Sequence, residues 1–246
     1  LSGPTLRAEA DVSLCVFGSP FSIWIDDVPA PAATVVNLRA GSTLRIGSTS
    51  NGARAYLCVR GGFHGPRVLD SASAFTPIND GDELRCEPGV GPRRSLGCSR
   101  VEELLDEPAD SPLRVIDGPQ ADWFDSAGWL DNEYTVSPAS NRMGIRLQGR
   151  PVVRPARELV SEAVAPGAIQ GANDGLPIVV GIDGQTIGGY PKIAHVIRAD
   201  LDRVGQLRPG RTIRFQRIGV SEAEEAASRR ERKIRRWLAA LRALAE

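Results

Sequence analysis

Glycine and proline interrupt this chain too often for long elements: 26 glycines and 18 prolines are spread through 246 residues. Glycine permits the positive φ of tight turns and proline removes a backbone donor, so the stretches between them are short. Those stretches run apolar or alternate apolar with polar, the two-residue period of a strand. In the first half, VSLCVF (12–17), FSIWID (21–26), STLRIG (42–47) and AYLCVR (55–60) read this way. PLRVIDG (112–118), EYTVS (133–137), MGIRLQG (143–149), LPIVVGI (176–182) and RTIRFQRI (211–218) do so in the second. The fold class expected is mainly β.

Between the two sets, Glu87 to Pro112 is polar and rich in Pro and Gly, with at most one helical turn at VEELL. It reads as a joint. The expected organisation is a first β half over 1–90, a linker over 91–111, a second β half over 112–220 and a helix over 221–246. GSTLRI at 41, GDELRC at 81 and GRTIRF at 210 repeat a glycine turn feeding an alternating strand, which supports two related halves. A short helix is expected over Asp200 to Leu207. In the tail, Ser221 is placed to cap a helix, with Glu222, Glu224 and Glu225 at its positive end. Ile234, Trp237, Leu238, Leu241 and Leu244 then form one apolar stripe. Arg229, Arg230, Arg232, Lys233, Arg235 and Arg236 lie mostly off it and read as a solvated face.

Lys plus Arg number 30 and Asp plus Glu number 30. A neutral balance argues against nucleic acid as the partner. No apolar stretch approaches the roughly 18 residues that span a bilayer, so no membrane is expected. No signal peptide is visible, and a leader ahead of Leu1 stays open because the first residue is not Met; the cytoplasm is expected from cysteines read as reduced. Cys15, Cys58, Cys86 and Cys98 form no CxxC pair. The first three sit in strand-like runs and read as reduced core thiols. With two histidines, His64 and His195, no metal site is expected.

Four segments of the second half carry chemistry: DGPQADWF (117–124), SNRMGIRLQG (140–149), SEAVAPGAIQ (161–170) and DGQTIGGYPKIAHV (183–196). Each sets glycine beside polar groups at the mouth of a strand, where a β scaffold presents groups to a small ligand. SNRMGIRL, PGAIQ, DGQTIGGYPKIAHVIRADL and GQLRPG, in this order, resemble the C-subunit family of bacterial 5-oxoprolinase, also labelled allophanate hydrolase subunit 2 and biotin-dependent carboxyltransferase-like. LSGPTLR, ARAYLCVRGG and the GDEL turn extend the resemblance from Leu1 to about Ala223.

The resemblance implies two cyclophilin-like β-barrel halves. It implies a cytoplasmic hetero-oligomeric hydrolase whose C component acts with 5-oxoprolinase B and A components. Together they open 5-oxo-L-proline to L-glutamate at the expense of ATP. Relatives in urea carboxylase transfer carboxyl from carboxybiotin to urea, and others act as non-catalytic partners of the B component. The first half departs from the family: it is shorter at its N-terminus and has DSASAF (70–75) where the family shows a G-S-R-S-T run. Gly184 and Ile187 replace an Arg and a Thr of the family pattern. No P-loop GxxxxGK[ST] occurs, so ATP is expected at the level of the complex.

Both substrates carry a planar N–C=O group, which needs donors for its oxygen and an acceptor for its N–H. On this reading Gln170, Asp183 and Lys192 are the catalytic candidates: Gln170 donating and accepting, Asp183 as base or N–H acceptor, and Lys192 completing the site. Arg142 is expected to clamp a carboxylate or carbonyl, with Thr186, Tyr190 and the Gly188–Gly189 backbone also binding substrate, the glycines as an anion nest. Structural alternatives stand beside each: an ion pair for Arg142, a turn cap for Asp183, a plain turn for the glycines and packing for Tyr190. His195 within IAHVI reads as a core or interface histidine, and His64 as surface.

Overall fold

The computed structural model describes residues 2–73, 76–95, 110–124, 126–153 and 157–243. The VEELL turn, Cys98 and Leu244 lie outside the described residues. The chain divides into two compact units, Leu1–Val101 and Glu102–Glu246.

The first unit holds β1 (Thr5–Arg7), β2 (Val12–Gly18), β3 (Ile23–Ile25), β4 (Val28–Ala30), β5 (Val36–Leu38), β6 (Thr43–Ile46), β7 (Ala55–Val59), β8 (Phe63–His64) and β9 (Arg85–Cys86). They form sheets ordered β1-β6-β3-β4, β5-β2-β7 and β8-β9. Leu14, Val16, Phe21, Ile23, Leu38, Leu44 and Ile46 make its core. Cys15 and Cys58 face each other across β2 and β7, on the side opposite Leu14 and Val16. That corrects the expectation of core thiols: Cys58 is exposed and Cys15 half-buried, because strand alternation sends them to the outer face. Residues 89–95, read from sequence as the start of the joint, are hydrogen-bonded into this unit. Ser13 N donates to Gly89 O, Gly91 N to Ser13 Oγ, and Val35 N to Arg94 O.

The second unit holds β10 (Leu113–Asp117), β11 (Tyr134–Val136), β12 (Gly144–Gln148), β13 (Glu162–Ala163), β14 (Ala168–Gly171), β15 (Pro177–Val180), β16 (Ile187–Gly188), β17 (Lys192–Val196), β18 (Thr212–Ile213) and β19 (Phe215–Arg217). Among the described residues three α-helices accompany them: α1 (Ser126–Leu130), α2 (Leu201–Gly205) and α3 (Val220–Ala243). Eight strands join one sheet in the order β18-β11-β12-β15-β14-β17-β10-β19, and β13 pairs with β16 as a separate ribbon.

The strand order forces this sheet to roll up. Its two outermost strands, β18 and β19, are separated in sequence by Arg214 alone. A flat sheet of eight strands would hold its edges about 34 Å apart, whereas two Cα steps cover about 7.6 Å at most. The sheet is therefore a nearly closed barrel. Arg214 is held from both sides of the seam: its carbonyl accepts from Leu113 N at 2.8 Å and its Nε donates to Glu133 at 2.6 Å. Val115, Tyr134, Val136, Leu147, Ile169, Val179 and Ile193 fill the interior, each almost fully buried, and Phe215 packs on Trp129 and Tyr134 there.

Asp200 anchors the turn that follows β17. It is wholly buried and accepts from Arg114 N (2.8 Å), Arg114 Nε (3.1 Å), Arg114 Nη2 (2.7 Å) and Arg203 Nη1 (3.2 Å). The helix expected over Asp200 to Leu207 is a 3-10 turn, Arg198–Asp200, running into α2. Helix α3 begins at Val220, so Ser221 sits inside its first turn rather than at the cap. Ala223 and Ala226 seat its N-terminal half on Ile116, Ile197 and Ala199.

Candidate functional site

The site lies on the outer wall of this barrel. Inward-facing Ile145, Val179 and Ile169 are register partners across β12, β15 and β14. Their sequence neighbours on those strands point the other way. Arg146 pairs with Ile178, Ile178 with Gln170, and Gln170 with Lys192, so the four form one row across β12, β15, β14 and β17.

The last pairing depends on an irregularity. Ala168 pairs with His195 and Ile169 with Ala194, so a regular ladder would set Ile193 opposite Gln170. The register shifts between Ile169 and Gln170 and brings Lys192 there instead. A bulge re-aims side chains in this way, and it turns a core position into a polar one on the outer wall.

The β13–β16 ribbon roofs the row. Lys192 is 6 % exposed and its ammonium forms an ion pair with Glu162 on β13. Gln120 completes the fastening: its Nε2 donates to Glu162 Oε1 at 2.8 Å and its Oε1 accepts from Lys192 N at 3.0 Å. The ion pair holds the Glu162 carboxyl below its ordinary value of 4.5, the hydrogen bond from Lys192 being the largest cause. Val164 on the roof packs on Ala168 and Val180 of the wall.

On the outer wall is a hollow of about 120 Å³, lined by Asn141, Met143, Gly144, Arg146, Gln170, Ile178, Val180, Gln185 and Tyr190. Gln170 is 2 % exposed, and its Nε2 has no hydrogen-bond partner among the described residues. A buried donor without an acceptor costs roughly 1–3 kcal/mol, so it marks a place where a ligand oxygen is expected. Gly188 lies close against that nitrogen: a Cβ there would lie 3.3 Å from Gln170 Nε2 and 3.4 Å from Val164.

Gln170 and Tyr190 line the hollow, Gly188 packs against Gln170, and the other sequence candidates lie around them. Arg142 and Asp183 bind each other, Nε to Oδ2 at 2.6 Å and Nη2 to Oδ1 at 3.1 Å, on the exposed rim. Neither offers the free charge expected of a substrate clamp or a base. Asp183 N also donates to Arg142 O at 3.2 Å, and Gly181 between them leaves no room for a side chain against that carbonyl. Thr186 is exposed, its carbonyl accepting from Val164 N. Lys192 holds the roof and does not line the hollow. Gly188 is extended within β16 and neither it nor Gly189 has a positive φ, so the alternating-handed turn of an anion nest is not formed. His195 is half-buried with Nδ1 3.0 Å from Val196 O.

Sequence reasoning did not single out Gln120, Glu162, Arg146 or Gln185, although all four lie in the segments it marked. The available signal was their spacing. Arg146 stands on an alternating strand one place after core Ile145, and Gln170 one place after core Ile169.

The same constellation sits within a chain that has known relatives. The model of the carboxyltransferase domain, subdomain A and B, matches residues 1–217. The C component of 5-oxoprolinase from Haemophilus influenzae is 32% identical over 245 residues, covering 94% of this chain and 77% of that protein. The Escherichia coli protein of the same name is also 32% identical, over 93% of this chain and 76% of its own length. Among solved structures, Kluyveromyces lactis urea carboxylase superposes with a TM-score of 0.82 at 26% identity, over 95% of this chain. The chain spans 24% of that much longer protein.

Proposed function

Since the chain belongs to the carboxyltransferase domain family, subdomains A and B, we propose that it is the C component of a 5-oxoprolinase, acting with the A and B components in the ATP-dependent opening of 5-oxo-L-proline to L-glutamate. The observation that carries this reading is 32% identity, over more than nine-tenths of the chain, to two bacterial proteins of that name. The hollow agrees with it chemically. A lactam carbonyl set against Gln170 Nε2 supplies the missing acceptor, and the same donor stabilises negative charge that develops on that oxygen during hydrolysis. Tyr190 and Ile178 offer apolar surface for the ring. Asn141 Oδ1 accepts from Met143 N (2.9 Å) and Gly144 N (3.3 Å), which fixes the opposite lip.

At about 120 Å³ the hollow suits a five-membered lactam and falls well short of the roughly 300–1,000 Å³ of larger ligand sites. ATP stays assigned to the level of the complex, because no P-loop GxxxxGK[ST] occurs in this chain. Lys192 and Glu162 act here as positioning residues that hold the roof over Gln170. Arg142 and Asp183 fix the rim, and Thr186 and Gly189 shape the roof loop.

The test is reconstitution. Purified chain mixed with its cognate A and B components should release glutamate from 5-oxoproline only when ATP is present, and Gln170→Leu should remove that activity. An inactive mixture, with each component folded and the three associated, rejects the reading. The superposition on urea carboxylase favours one alternative, carboxyl transfer to a urea-type acceptor, in which the same Gln170 donor would meet the urea oxygen. Discharge of carboxybiotin dependent on urea, in place of glutamate release, would establish it. Association with the B component without turnover of either substrate would instead indicate a non-catalytic partner.

A further inference from the structure

Among the described residues, Arg142, Arg146 and Lys192 stand at or beside the hollow, and two of them are already committed. Arg142 is paired with Asp183, and Lys192 with Glu162. The third, Arg146, lines the hollow, and its guanidinium has no ion pair or hydrogen bond among the described residues. It points from the same wall as Gln170, with Ile178 between them in the row. Two strand spacings separate the pair, about 10 Å at the backbone. The long arginine side chain closes part of that distance.

The hollow thus presents a neutral donor, an apolar floor and a cation, in that order. We propose that Arg146 is the residue that selects the ligand's charge: the site takes small planar amides that also carry a carboxylate, the amide oxygen on Gln170, the hydrocarbon over Ile178 and the carboxylate on Arg146. This inference rests on the proposed lactam reading and deepens it. It moves carboxylate recognition from Arg142, which Asp183 occupies, to a side chain four residues on, across the loop that ends at β12. A planar guanidinium meets a carboxylate with two parallel hydrogen bonds, so an ammonium is an incomplete substitute.

The experiment compares two ligands that differ only in charge. The full chain is titrated with 5-oxoproline and with 2-pyrrolidinone, the same lactam without its carboxylate, and binding is followed by ligand-observed NMR. The wild-type chain should favour 5-oxoproline by about tenfold or more. Arg146→Met should bring the ratio close to one by weakening 5-oxoproline alone, and Arg146→Lys should fall between. A wild-type ratio near one, an unchanged ratio in Arg146→Met, or binding of neither lactam overturns the inference. A structural role for Arg146 would weaken both ligands together and leave the ratio unchanged, which also overturns it.

The two readings fail separately. If the reconstituted complex releases glutamate but the ratio does not respond to Arg146, the 5-oxoprolinase reading stands and this assignment falls. If the complex is inactive but the ratio responds, the ligand class stands and the reaction falls.

Discussion

Gln170 and Lys192 face each other across β14 and β17 because the ladder slips between Ile169 and Gln170. That slip sets an amide with no partner among the described residues next to an ammonium with a firm one. On the proposed function the first receives a ligand oxygen, and the second holds the cover in place. Substitutions at the two kinds of position should therefore behave in opposite ways.

Gln170→Leu should stabilise the fold while destroying the site. The substitution removes a buried donor that has no acceptor and retains the side-chain volume, so the unfolding free energy should rise by about 1–2 kcal/mol. Urea denaturation measures this. A loss of stability would mean that the amide is satisfied in solution and that the hollow is not a site.

Gly188→Ala tests the close approach of Gly188 to Gln170. The added methyl would stand 3.3 Å from Nε2, tight enough to compete with a ligand and loose enough to fold. Glycine is also a poor strand residue, so stability should change by less than about 1 kcal/mol in either direction. In the reconstituted enzyme KM should rise much more than kcat falls. Unchanged KM would place the ligand elsewhere.

The Lys192–Glu162 fastening should make the roof sensitive to acid. The Glu162 carboxyl titrates below its ordinary value of 4.5 in the folded chain. Its stabilising contribution is therefore fully present above about that pH and is lost as pH falls through the lower, folded value. The stability gap between wild type and Glu162→Gln should be largest near neutrality and shrink in acid below 4.5. Denaturant midpoints taken along a pH series report it, and a gap that grows on acidification contradicts the assignment.

Asp200→Ala should be among the most damaging single substitutions in the second unit. It strands Arg114, itself buried, without its counter-charge. Breaking one side of a buried ion pair costs roughly 3–5 kcal/mol. Calorimetry of the purified variant should show a strongly lowered Tm, or the variant should fail to accumulate as folded protein. A Tm within a few degrees of wild type would contradict the buried network.

The thiols of the first unit should differ in reactivity. Burial, and then the neighbouring Cys58, raises the Cys15 thiol above its ordinary 9.0, while Cys58 lies exposed. Alkylation at mildly alkaline pH should label Cys58 first, as read by peptide mass spectrometry, because the reagent needs both access and thiolate. Equal rates would show that β2 and β7 do not present them differently.

Much of this was legible in the sequence, and the exceptions share a cause. β2, β6, β7, β11, β12 and β15 overlap apolar or alternating runs that announced them. β14 and β17 were not read as strands, although they lie at the centre of the barrel wall. Every residue of β14 is buried on whichever face it points to, which erases the two-residue period. In β17 the bulge adds a residue and breaks the alternation as well. The run 211–218 was read as one strand, whereas the seam divides it at Arg214. At the site, residue type named Gln170 and Tyr190, which line the hollow. It offered an ion pair for Arg142 but not its partner, because nothing local in a sequence reveals that Arg142 and Asp183, 41 positions apart, meet.

The single-residue seam at Arg214 also dictates when the wall can be completed during synthesis. β10 appears about 100 residues before β19, its partner, so that margin of the sheet cannot be paired until Arg217 has been synthesised. β18 and β19 then arrive together, one for each margin, and a single pair of neighbouring segments zips up both. Premature termination anywhere before Thr212 would leave a sheet with two unpaired margins, vulnerable to self-association.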